Sequence, residues 1–143
     1  MNHPPCVLMI DDNPADCRLV KEMFLESRSH VDFRSVGDGP TAFDYLIKKG
    51  EFSSSPTPDL IVVDLNLPIL GGRKILNLVK THPEWRSIPV VVLSSSSLQE
   101  DIDDCLELGA ERYFTKPATV EEYLQVIADI DRLMKQLDSG RSS

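Results

Sequence analysis

Four short runs of the chain, three of them apolar, each lead into a side chain capable of chemistry. Val7-Leu-Met-Ile10 runs into the acid pair Asp11-Asp12, and Leu60-Ile-Val-Val63 into Asp64. Val90 to Leu93 runs into Ser94, and Arg112-Tyr-Phe-Thr115 into Lys116. Carboxylates brought together repel one another and need a cation. An all-oxygen set with open positions suits Mg²⁺ (or Mn²⁺), which takes few protein carboxylates and keeps several waters. A phosphate arriving there completes the metal's shell, while the Lys116 ammonium and the Ser94 hydroxyl hold other oxygens. Asp64 is then a carboxylate nucleophile towards phosphorus, giving an acyl phosphate. Singly, each residue has an ordinary explanation: a helix cap, a turn serine, a surface lysine. The combination carries the signal.

The elements that must position these residues follow from the pattern of the chain. Leu60 to Val63 is nearly all apolar and rich in β-branched residues, so it reads as a strand buried on both faces. Val7 to Ile10 is the first strand, and Asn13-Pro14 starts a helix that continues to about Ser27 on Leu19, Val20, Met23 and Phe24. Val31 to Val36 alternates, as an edge strand with one wetter face does. Ala42, Phe43, Leu46 and Ile47 define helix two, with Gly50 as its stop, and Glu51 to Pro58 is a surface loop. Ile75, Leu76 and Val79 mark helix three, closed at His82-Pro83. Leu98, Ile102, Cys105 and Leu106 mark helix four, stopped by Gly109. Arg112 to Thr115 is the fifth strand, and Thr119 to about Leu137 the last helix. Met1 to Pro5 and Asp138 to Ser143 are expected to be loose ends of one domain spanning 1–143, with its core at about 6–137. This α/β alternation predicts a (βα)5 doubly wound parallel sheet in the flavodoxin-like order 2-1-3-4-5. The ends of strands one and three then meet at the switch point, where ligand sites of such sheets lie.

At 143 residues the chain can bury a real core, and its net charge of −8 argues against nucleic acid or an anionic membrane as partner. No apolar run is long enough to span a bilayer and no basic-then-apolar leader opens the chain, so a cytoplasmic place is expected. Cys6, Cys17 and Cys105 are odd in number and far apart, which suits buried free thiols.

With Asp11-Asp12-Asn13-Pro14, Asp64-Leu-Asn-Leu-Pro68, Gly72, Ser94 and Lys116-Pro117 in place, the sequence resembles the receiver domains of two-component response regulators, of the CheY-like type. It is most similar to the small stand-alone regulators that accompany phytochrome-type histidine kinases, through the start Asp12 to Asp16 and the Ser/Pro-rich loop before strand three. The resemblance implies that Asp64 is the phospho-acceptor, loaded by a sensor histidine kinase or a phosphotransfer protein. It implies that Asp12, Asp64 and the backbone carbonyl of Asn66 bind Mg²⁺, with Asp11 acting through water. Ser94 and Tyr113 are then the switch pair, Lys116 the ion-pair partner, and Asn66 and Ser96 the positions that tune the lifetime of the acyl phosphate. The Lys116–Pro117 bond is expected to be cis. One departure is Gly71, where the family usually carries an acid; the loop before helix three is expected to be looser there.

Almost nothing is left over for an output domain, so the output is expected to be a surface. On helix five, apolar residues cover about half the circumference at roughly 100° per position, more than one buried stripe needs. Val126, Ile130, Leu133 and Leu137 therefore read as a second strip for a partner or a second copy of the chain, and a homodimer through helices four and five and the edge near strand five is expected. Two other functions compete with a phosphorylation-controlled switch. A phosphatase using Asp64 would want a second acid two residues on, and Asn66 is an amide. A binding module independent of phosphorylation would not need the full set of acids, hydroxyl and lysine.

Overall fold

The computed structural model describes residues 3–27 and 29–141, with side chains described as far as Leu137 within the last helix. Strands β1 (Cys6–Ile10), β2 (Asp32–Val36), β3 (Leu60–Val63), β4 (Val90–Ser94) and β5 (Arg112–Thr115) alternate with helices α1 (Pro14–Glu26), α2 (Gly39–Leu46), α3 (Gly72–Thr81), α4 (Gln99–Glu107) and α5 (Val120–Arg141). All four strand pairings are parallel, and the order is β2-β1-β3-β4-β5, as the sequence predicts. Alternate residues of each central strand serve opposite faces. Val7, Met9, Leu60 and Val62 pack with Val20, Phe24, Ile127 and Ile130 of α1 and α5. Leu8, Ile10, Ile61 and Val63 pack with Ala42, Leu76, Val79 and Cys105 of α2, α3 and α4. This double burial is why the central strands are apolar without a break.

Several expectations need correction. Val126 and Ile130 are 8% and 0% exposed and belong to the core under α1 and α5; Leu133 is half-buried against the same core, and Leu137 is half-buried. α5 packs on the sheet and on α1 together, so a wide apolar arc is needed simply to fill two contacts. The strip is therefore not a free docking surface. Helix two buries Tyr45 in place of Phe43 and Ile47, because the phenol donates to the Pro56 carbonyl at 2.9 Å and meets the Cys6 sulfur at 3.7 Å. The helix closes at Leu46, and Gly50 instead opens a short 3-10 turn, Gly50–Phe52. On α4 only Cys105 is fully buried; Leu98 and Leu106 are exposed. Gly109 does stop that helix, at φ 111°, a conformation a side chain would strain. The last helix continues to Arg141, since no proline or cap interrupts its backbone bonds after Leu137. Met1, Asn2, Ser142 and Ser143 of the expected loose ends lie outside the described residues.

All three cysteines are free and buried. Burial pushes the Cys17 thiol up to about 11, which keeps it protonated and unreactive. Among the described residues, no helix is long and apolar enough to cross a membrane.

Candidate functional site

Backbone pairing fixes the acids before any side chain is placed. The Asp11 N–H donates to the Val36 carbonyl at 3.1 Å and the Asp64 N–H to the Ile10 carbonyl at 3.0 Å, so both residues sit just past paired strand ends. One carboxylate oxygen from each of Asp11, Asp12 and Asp64 lies within 4.8 Å of the others. Asp11 and Asp64 are buried, whereas Asp12 is exposed, so the cluster opens to solvent on Asp12's side. Such hard oxygen donors with one open side fit a divalent cation of the Mg²⁺ or Mn²⁺ kind.

The β5 end brings in the opposing charge. The Lys116 N–H donates to the Ser94 carbonyl at 2.7 Å, tying the ends of β4 and β5 together. The Lys116 Nζ then donates to Asp11 Oδ2 at 3.0 Å, to Asp64 Oδ2 at 3.0 Å and to Asp16 Oδ2 at 2.7 Å. Burial works against the lysine's charge, but the hydrogen bonds it donates to Asp16, Asp11 and Asp64 outweigh it and hold the ammonium well above its ordinary range. At Asp11 the balance points the other way. Burial raises the carboxyl above its usual value, although the Asn13 N–H and Lys116 oppose it. Both Asp11 oxygens accept hydrogen bonds, Oδ1 from the Asn13 N–H at 2.9 Å and Oδ2 from Lys116, which is the arrangement of a carboxylate. We therefore take the pair as ionised on both sides.

Asp16 was not marked as a site residue in the sequence, and its contact with Lys116 spans 100 positions. A local signal exists nonetheless. Asn13 caps α1 by accepting from the Ala15 and Asp16 N–H groups, which fixes Asp16 in the first helical turn directly behind the acid pair.

Asn66 is exposed, and its N–H donates to Asp64 Oδ1 at 3.1 Å, holding the carboxylate that would react. Ser94 is fully buried, and its Oγ accepts from the Ser96 N–H at 3.3 Å. Tyr113 is half-buried and donates from its hydroxyl to the Ser96 carbonyl at 2.7 Å. Ser94 and Tyr113 are thus linked through one residue, Ser96, whose own hydroxyl donates to Asp101. Arg73, also unmarked in the sequence, pairs with that same Asp101 and with Asp104 at 3.5 Å, tying α3 to α4.

The Lys116–Pro117 bond is trans, as is every peptide bond among the described residues, so the expected cis bond is corrected. For an X–Pro bond the two forms differ by only about 0.5–1 kcal/mol, and Lys116 reaches all three acids from the trans form. Gly71 has extended backbone and stands at the N-cap of α3 with no side chain to accept the helix's first N–H groups. The missing acid is thus a missing cap. Two residues earlier, Ile69 is 84% exposed with φ 69°, so the loop after Asn66 carries local backbone strain.

The comparisons with known proteins agree with this geometry. The family model of the response regulator receiver domain matches residues 7–128, and the chain belongs to that family. The response regulator Rcp1 of Synechocystis sp. is 35% identical over 130 residues, which cover 91% of this chain and 88% of Rcp1. Among solved structures, the phosphorylated cyanobacterial phytochrome response regulator RcpA matches with a TM-score of 0.84 at 36% identity, over 92% of this chain and 94% of RcpA. The Mn²⁺-bound form of Rcp1 matches with a TM-score of 0.78 at 35% identity, over 90% and 92% of the two chains. The chain is thus similar to phytochrome-associated response regulators, the subgroup that Asp12 to Asp16 suggested.

Proposed function

We propose that this chain is a phosphorylation-controlled switch in which Asp64 takes a phosphoryl group from a phosphohistidine of a sensor histidine kinase or a phosphotransfer protein. The observation that carries the reading is Lys116 Nζ at 3.0 Å from both Asp11 and Asp64, beside an open oxygen cluster completed by Asp12. An Asp64 carboxylate oxygen attacks phosphorus as the bond from phosphorus to the nitrogen of the donor's phosphoimidazole, protonated on its other nitrogen, breaks; the electron pair stays on the imidazole, leaving an acyl phosphate on Asp64 and a neutral histidine on the donor. Asp12, Asp64 and the Asn66 carbonyl, with Asp11 through water, would hold a divalent cation, which would supply neutralisation of the phosphoryl oxygens. Lys116 donates to one of those oxygens, and the Ser94 hydroxyl turns towards another. That turn gives up the bond from the Ser96 N–H, and Ser96 also accepts from Tyr113, so the loop before α4 feels the change. The group is held and then lost slowly to water, with Asn66 and Ser96 tuning the rate, rather than passed through repeated turnover.

The phytochrome in the name of the similar protein RcpA supports a light-sensing kinase as donor, and a cytoplasmic place belongs to the same proposal. Phosphotransfer from an autophosphorylated kinase of that class is the test. Label should leave the kinase and appear on this chain, and should not do so with Asp64→Asn. Failure of transfer from every such kinase, while small phosphodonors still load the chain, would sink the kinase assignment alone.

A homodimer through α4 and α5 belongs to the same reading, but it would rest on exposed Leu98, Leu106 and Val120 rather than on the buried strip. Leu106→Glu is expected to shift the chain to monomer by sedimentation. A wild type that sediments as a monomer at high concentration would remove the dimer from the account.

A further inference from the structure

We infer that Asp16 is a positioning residue for Lys116 during phosphoryl transfer, an inference that rests on Asp64 being the acceptor. An ammonium has three N–H donors, and here each meets a carboxylate: Asp11 at 3.0 Å, Asp64 at 3.0 Å and Asp16 at 2.7 Å. Two of these partners have other work. Asp11 and Asp64 belong to the oxygen cluster that would face a cation, and Asp64 also carries the phosphoryl group. Asp16 lies outside that cluster. Once the other two carboxylates are engaged, it is the partner that stays.

Its support is rigid where the lysine is not. Asp16 stands in the first turn of α1, behind Pro14, with its own N–H bonded to the Asn13 cap at 3.3 Å. Lys116 sits at the end of β5 on a flexible four-carbon stem. Anchored on Asp16, the ammonium waits beside Asp64 with a donor ready to pass to a phosphoryl oxygen. Without the anchor it is free to swing towards water, and the transition state must recruit it at a cost in order. The bland alternative is that Asp16 merely suits the positive end of α1, as acids in a first turn do. That role would not depend on Lys116, and the dependence can be measured.

The experiment is the initial rate of phosphorylation by acetyl phosphate across a Mg²⁺ titration. It compares wild type, Asp16→Asn, Lys116→Gln and the double variant, each checked for an intact thermal transition. Asp16→Asn is expected to lower the maximal rate at least about fivefold, well within the roughly hundredfold that misplacing a reacting group can cost. Half-saturation by Mg²⁺ should stay where it is, and in the Lys116→Gln background the same change should do nothing further. An unchanged maximal rate, a shift in Mg²⁺ half-saturation in its place, or an equal loss in both backgrounds would each overturn the inference. If the wild type itself takes no phosphoryl group, the acceptor reading fails first and this inference with it. If the wild type loads and Asp16→Asn matches it, only the inference fails.

Discussion

Asp64→Asn protein is expected to take up no phosphoryl group from any donor while keeping its fold. The amide nitrogen has no available electron pair to attack phosphorus, so the acceptor is lost outright. The shape of the side chain is retained, and the amide oxygen can still accept the Asn66 N–H that Asp64 Oδ1 now accepts at 3.1 Å. Breaking a buried ion pair costs about 3–5 kcal/mol when it orphans the partner charge. Here the partner is not orphaned, because Lys116 keeps Asp11 at 3.0 Å and Asp16 at 2.7 Å. One of several crowded carboxylates is also removed, which relieves repulsion in the cation-free protein. The expected thermal transition is therefore close to that of the wild type, and a rise in Tm would be in keeping with the same argument. Uptake by the variant at the wild-type level, read by intact mass, would place the acceptor elsewhere.

The second large effect is on stability. In Gly72→Ala the new Cβ would lie 2.1 Å from the Asp64 carbonyl oxygen, 2.7 Å from the Leu65 Cα and 2.9 Å from the Asp64 carbonyl carbon. Unstrained carbon contacts lie at about 3.5–4.0 Å, and every atom met here is backbone, so no side chain can rotate away. The start of α3 must lift off the end of β3, breaking the bond from the Gly72 N–H to the Leu65 carbonyl at 3.0 Å. We expect a loss of about 3 kcal/mol, at the upper end of ordinary overpacking, and a fall in Tm of roughly 10 °C. Urea unfolding measures it directly. A change within about 0.5 kcal/mol, the range of neutral surface substitutions, would mean that α3 does not rest on Asp64 as described. Phosphorylation of the variant should also slow, since the peptide that moves is the one following the acceptor.

How much of this was legible in the chain depended on whether a feature is local. The strands announce themselves as short apolar runs, and parallel burial on both faces leaves little freedom in their order. The residues at their ends follow from strand length alone, so Asp11, Asp12, Asp64, Ser94 and Lys116 all fall at the sheet's carboxyl edge, where the strand reading puts them. What failed involved partners distant in sequence. Periodicity gives the width of the α5 apolar arc but not what lies against it, and so Val126 and Ile130 read as surface in the sequence although they are core. Tyr45 was overlooked on α2 because a phenol is a poor core residue until a carbonyl such as Pro56's is there to accept its hydrogen bond. Asp16 is legible locally as an acid fixed behind Asn13 in the first turn of α1, but not as the partner of a lysine 100 positions away. The Lys116–Pro117 isomer was open to either outcome on energy alone.

The most direct test of the central claim is the intact mass of the wild-type chain after incubation with Mg²⁺ and a small phosphodonor, with and without EDTA from the start. The account predicts one added phosphoryl group per chain, dependent on Mg²⁺ and mapping to the peptide that carries Asp64. No addition under any donor would contradict it and leave a binding module, whereas phosphate released far beyond one equivalent per chain would contradict it in favour of a hydrolase.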